Sequence, residues 1–169
     1  MKRLAGWIGA LLIAGLFGGC ASNASKDSAA PPVATPAAAA KKVVWIDTDP
    51  SVTTEGERAK EVDDGFALIQ AFNSPELDIR GVSVVFGNAP FEMAWPIGQE
   101  IVRRFGPAGL NIYPGAAKAE QLGEETEAVK AMAKALRNAT ARKEKLAILA
   151  LGPVTNVATL VKNHPDLVG

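Results

Sequence analysis

The sequence predicts an α/β fold: an open, mainly parallel sheet with flanking helices. Three observations point there. Strand-like and helix-like segments alternate four times along the chain, the order that builds a parallel sheet covered by helices. Aspartate, asparagine and glycine collect where the strand-like runs end, the edge on which open parallel sheets bind ligands. At 169 residues and 48% apolar content the chain has material for one domain with a real core.

Taken in order, KVVWIDTD is short, apolar and β-branched, and reads as the first strand. VDDGFALIQAFNS has helical spacing, and LDIRGVSVVFG reads as a second strand bounded by Gly87. Residues Phe91 to Phe105 predict a helix that Pro96 interrupts or restarts, because proline removes a donor from a helix interior. NIYPG is a brief third strand. Glu124 to Ala141 predicts the clearest helix, with Ala128, Met132, Ala135 and Leu136 on one face. KLAILALGP reads as a buried strand, and VTNVATLVKNHPDL as a helix that presents Val157, Leu160 and Val161 and stops at Pro165. His164, the only histidine, falls at the end of that helix and reads as a surface residue favourable to the dipole rather than a catalyst.

Ahead of this region stand two segments of other composition. Residues 1–20, MKRLAGWIGALLIAGLFGGC, carry Lys2 and Arg3, an apolar stretch and then small residues, the anatomy of a secretory signal too short to span a membrane comfortably. Gly18-Gly19-Cys20 resembles a bacterial lipobox with Phe17 at the usual leucine position. It implies lipidation of Cys20 and, with Ala21 following, a location in the bacterial cell envelope at the periplasmic face of the outer membrane. Simple secretion to the periplasm is the alternative. Cys20 is the sole cysteine, so no intrachain disulfide exists. Residues 21–42 are rich in Ala, Ser and Pro and read as a flexible linker, leaving 43–169 as the folded part. Eighteen basic residues balance eighteen acidic ones, so there is no positive field to bind nucleic acid.

Four aspartates frame the first strand and the first helix. Asp47 and Asp49 are two apart, the spacing that shares a strand face. Asp63 and Asp64 open the helix, where unpaired amides and the dipole favour negative charge, so one of them could act simply as an N-cap. A cap does not require four carboxylates at one edge. Like charges this close stay ionised only when a cation neutralises them, and oxygen-only donors select Ca²⁺ or Mg²⁺ over zinc.

IDTDP, the later DD opening a helix, GVSVVFGN and ALGPVTNVATLVKNHPDL together resemble the inosine/uridine-preferring nucleoside hydrolases, over Val43 to the end of the chain. The resemblance implies a Rossmann-like α/β sheet and Ca²⁺-dependent hydrolysis of the N-glycosidic bond of ribonucleosides, giving ribose and free base. By that resemblance Asp49 and Asp64 are calcium carboxylates, the main-chain carbonyl of Leu151 is a further ligand, and Asp63 is the general base. Asn88 contacts the ribose together with Asp63, and Asp47 is a supporting carboxylate. The substrate is expected to be a nucleoside or another riboside, and a full-length protein could be a homo-oligomer.

The chain departs from the family pattern in three places. Ser51 to Val62 insert twelve residues between the aspartate pairs, a loop that must arch back for Asp63 to reach Asp49. No histidine follows the third strand, where the family has an HGxxG-like loop. The family's later half, with another calcium aspartate and a histidine, has no counterpart before Gly169, so the chain is expected to be the N-terminal part of a longer enzyme, whose catalysis on its own is in question. Two other readings stay open: a non-catalytic, lipid-anchored protein that binds a riboside or a metal, and a haloacid-dehalogenase-like phosphatase, whose nucleophile motif is also DxD after an apolar strand.

Overall fold

The computed structural model describes residues 40–52 and 60–167. The expected signal segment, Cys20, nearly all of the expected linker and the middle of the 51–62 insertion lie outside them. Four parallel strands, β1 (Lys42–Thr48), β2 (Leu77–Val84), β3 (Ile112–Pro114) and β4 (Leu146–Ala150), form one sheet in the order β3-β2-β1-β4. Four helices connect or follow them: α1 (Asp63–Phe72), α2 (Phe91–Phe105), α3 (Glu127–Ala141) and α4 (Thr155–Asn163). The first three strands step outward on one side of β1, and β4 then crosses to the other side. The direction of winding therefore reverses between β1 and β4, the crevice where open α/β sheets bind ligands.

Strand β1 alternates its side chains between two apolar layers. Trp45 packs with Val129, Met132, Leu136 and Leu160 of α3 and α4, whereas Ile46 packs with Leu68 of α1, Val102 of α2 and Val82. A bulge separates Val44, opposite Ile79, from Trp45, opposite Gly81. There the indole lies directly on Gly81, where a Cβ would come within 2.4 Å of the ring, and it stacks on Tyr113 at 5.5 Å between centroids.

Several expected boundaries shift. Helix α2 runs unbroken through Pro96, since its inward face of Ala94, Gly98 and Val102 holds the helix against the sheet and outweighs one lost backbone bond. Helix α3 begins at Glu127 rather than Glu124, because the Thr126 side chain accepts the amide of Val129 and caps the first turn. Helix α4 turns Asn156, Thr159 and Leu160 inward and leaves Val161 exposed. The largest correction concerns β4. Its apolar run reads as a buried strand, yet among the described residues it pairs only with β1, at the edge of the sheet, and Leu149 and Leu151 are 40% and 41% exposed.

Candidate functional site

The carboxyl ends of the strands are tied together by backbone hydrogen bonds beyond the strands themselves. Val85 N donates to Thr48 O, Gly115 N to Val84 O, Phe86 N to Ala116 O and Leu151 N to Asp47 O, all at 2.8–2.9 Å. On this rim β1 ends at Thr48, so the strand's alternation stops before Asp49, and the two aspartates of IDTDP have different surroundings.

Asp47 is buried in a polar network. Its Oδ1 accepts from Ser83 Oγ and, at 2.9 Å, from Asn156 Nδ2, while Trp45 Nε1 donates to Ser83 Oγ at 2.9 Å. Its Oδ2 is buried without a partner among the described residues. Loss of solvent pushes the carboxyl up to about 6, and the bonds from Ser83 and Asn156 oppose the rise. Asp49 lies between two glycines. A Cβ on Gly87 would come within 1.9 Å of its Oδ2, and one on Gly152 within 2.6 Å of its Oδ1. Those glycines lie in the loops just beyond β2 and β4, so only residues without side chains let both loops close on the carboxylate. Asn88 N donates to Asp49 Oδ2 at 2.7 Å.

Asp64 reaches the same place from α1. Its Oδ2 accepts from Thr48 Oγ1 at 2.6 Å and from the Asp49 amide at 2.9 Å, so the inserted residues do not keep the two pairs apart. No side chain caps α1, and the buried Asp64 serves the end of β1 rather than its own helix. The insertion is pinched at its base, where Ser51 Oγ donates to Glu61 O at 2.7 Å and Asn88 Nδ2 to the same carbonyl at 2.6 Å. Burial, with Asp64 beside it, pushes Asp49 up to about 7 against the favourable Asn88 amide.

Asp49, Asp64, Asn88 and the Leu151–Gly152 peptide thus meet at the β1–β4 crevice, with Asp63 exposed at the neighbouring helix start. The groups there that could ligate a metal, the two carboxylates and the carbonyl oxygens of Asn88 and Leu151, are all oxygens, which suits a hard cation in kind. Among the described residues no three His, Cys, Asp or Glu side chains gather as a metal site, so Asp49 and Asp64 supply two carboxylates and no third joins them. His164 is remote in role, bridging Glu125 at 3.2 Å and Arg137 at 3.3 Å at the end of α4. Asn156 and Ser83 were not singled out from sequence. Asn156 sits inside the LGPVTN run, and an amide following a turn at a strand end was the available signal.

Comparison with known proteins identifies the family and the fold. A family model described as inosine-uridine preferring nucleoside hydrolase matches residues 44–169. The pyrimidine-specific ribonucleoside hydrolase RihA of Escherichia coli O9:H4 (strain HS) is 28% identical, the match covering 62% of this chain and 41% of the relative. RihA of Photobacterium profundum is 31% identical with the same coverage. The chain therefore spans about two fifths of the length of these relatives. Among solved structures, a plant nucleoside hydrolase, PpNRh1, superposes with a TM-score of 0.59 at 24% identity, over 75% of this chain and 44% of that one. A purine-preferring ribonucleoside hydrolase from Gardnerella vaginalis gives 0.58 at 19%, over 75% and 45%. At these identities the superpositions speak for the fold, a parallel α/β sheet of the same kind.

Proposed function

Because the chain belongs to the inosine-uridine preferring nucleoside hydrolase family, we propose that its rim is a ribonucleoside-cleaving site, or the part of one that this chain contributes. The observation that supports this best is the seating of Asp49 between Gly87 and Gly152, with Asp64 bonded to its backbone amide. Two carboxylates at the crevice of a doubly wound sheet have no packing purpose that apolar residues would not serve more cheaply.

In this reading Asp49, Asp64 and the Leu151 carbonyl hold Ca²⁺. The ion, when bound, offsets the charge of the two carboxylates and orients oxygen groups of substrate and water. Asn88, with its amide already on Asp49 and its side chain on Glu61 O, stands where a ribose hydroxyl would be recognised. Asp63 takes the proton of the attacking water as the C–N bond breaks, the electron pair leaves with the base, which takes up a proton from solvent, and the acidic rim stabilises the positive charge that develops on the sugar. Asp63→Ala is therefore expected to lower kcat steeply while nucleoside affinity holds.

The deciding assay is ribose release from inosine and uridine by the chain, with Ca²⁺ and with chelator. Release that chelation abolishes is the expected result. Nucleoside binding by calorimetry without any release would instead make this a binding protein. We further propose that Cys20 carries a lipid and anchors the chain in the envelope. Cys20→Ser is then expected to abolish labelling by a radioactive fatty acid and to release the protein from membranes, and labelling that persists in the variant rejects the anchor.

A further inference from the structure

Resting on that reading of the rim, we propose that Asn156 is its positioning residue: one buried amide that sets the ends of β1, β3 and α4 relative to each other and so places Asp49, Asn88 and Leu151. The side chain is 1% exposed. Its Nδ2 donates to Asp47 Oδ1 at 2.9 Å and its Oδ1 accepts from Ala116 N at 2.8 Å. Gly115 lies so close that a Cβ there would be 2.1 Å from Nδ2.

Each contact leads to a candidate residue. Asp47 O receives the Leu151 amide, which joins β4 to β1 at the crevice. Ala116 O receives the Phe86 amide, two residues before Asn88, whose own amide holds Asp49. Asn156 thus bonds the ends of β1 and β3 directly, and backbone bonds from Leu151 and Phe86 join the ends of β4 and β2 to those same residues. The position needs one donor facing Asp47 and one acceptor facing Ala116, which asparagine supplies and neither aspartate nor leucine does. Aspartate would set a second carboxylate against Asp47. Leucine would leave Asp47 with Ser83 alone and the Ala116 amide buried without a partner.

The test uses the full chain with Asn156→Ala, Asn156→Asp and the exchange Asn156→Asp with Asp47→Asn, which restores a donor against an acceptor. Amide hydrogen exchange is the first readout. Asn156→Ala is expected to speed exchange at Asn88, Ala116 and Leu151 by roughly tenfold, while Val44 and Ile46 in mid-strand keep their rates. Calorimetric titration with Ca²⁺ is the second, with affinity expected to fall about tenfold in Asn156→Ala and to recover to within about threefold in the exchange variant. Should Asn156→Ala fail to fold, Asn156→Asp carries the same readouts, since it keeps the acceptor for Ala116. Unchanged rim exchange overturns the proposal, and so does loosening of rim and mid-strand alike. A wild-type chain that binds no Ca²⁺, with rim exchange still selectively raised in Asn156→Ala, sinks the metal site and leaves the positioning role standing.

Discussion

Asp47 and Asp49 show how one short motif divides its work between residues. In the metal-free chain they stand at about 6 and about 7, above the ordinary 3.8, because burial strips water from the charged form. A carboxyl raised by folding holds its proton more tightly in the native state than in the unfolded one. Its contribution is therefore full below about pH 4 and is lost as pH climbs through 6 to 7. For Asp47 the move from 3.8 to about 6 corresponds to about 3 kcal/mol. With chelator present, the free energy of urea unfolding is expected to decline from about pH 4 to about pH 7, and Asp47→Asn to remove the part of the decline that runs from about pH 4 to about pH 6. Parallel pH profiles for the two proteins would show that Asp47 is not the group responsible.

At the scale of elements, β1 organises the molecule because both its faces are buried and both its edges are paired. Its register against β2 depends on the bulge at Arg80–Gly81, which gives the Trp45 indole its place over a residue with no side chain. Gly81→Ala forces that ring off its seat and away from Tyr113, so a loss of about 1–3 kcal/mol is expected in urea unfolding, with a changed near-ultraviolet dichroism. Stability within about half a kcal/mol of wild type would mean that the ring moves aside freely. Helix α2 makes a complementary point. A proline in mid-helix predicts a break, and the helix continues because tertiary packing of one face exceeds the penalty of one missing donor.

For the whole molecule the conspicuous feature is the free side of β4. Leu149, Leu151 and, just beyond, Val154 are exposed, and LAILAL carries no charge or proline to guard the edge. The chain has no net charge to keep copies apart. Reversible self-association of this chain is therefore expected in sedimentation velocity at roughly tens of micromolar, with Leu149→Lys shifting it toward monomer. Sedimentation as a monomer across that range would show the edge to be protected in some other way.

The alternation of strands and helices, the parallel sheet, and the gathering of acidic residues at the carboxyl edge were all legible in the sequence, because periodicity and turn residues are local properties of the chain. The pairing of Asp49 with Asp64 came from the family resemblance, and the fold brings them together through the Asp49 amide across the insertion. Other features were decided only when the chain folded. Strand order put β4 at an edge, and no run of apolar residues states which neighbour it will lack. The close fit of Gly87 and Gly152 around Asp49, and the choice of Asn156 as the amide joining Asp47 to Ala116, depend on contacts between segments far apart in sequence. Hydrogen bonds of that kind have no period to read. They arise where burial leaves a polar group in need of a partner, and the fold alone determines which one is within reach.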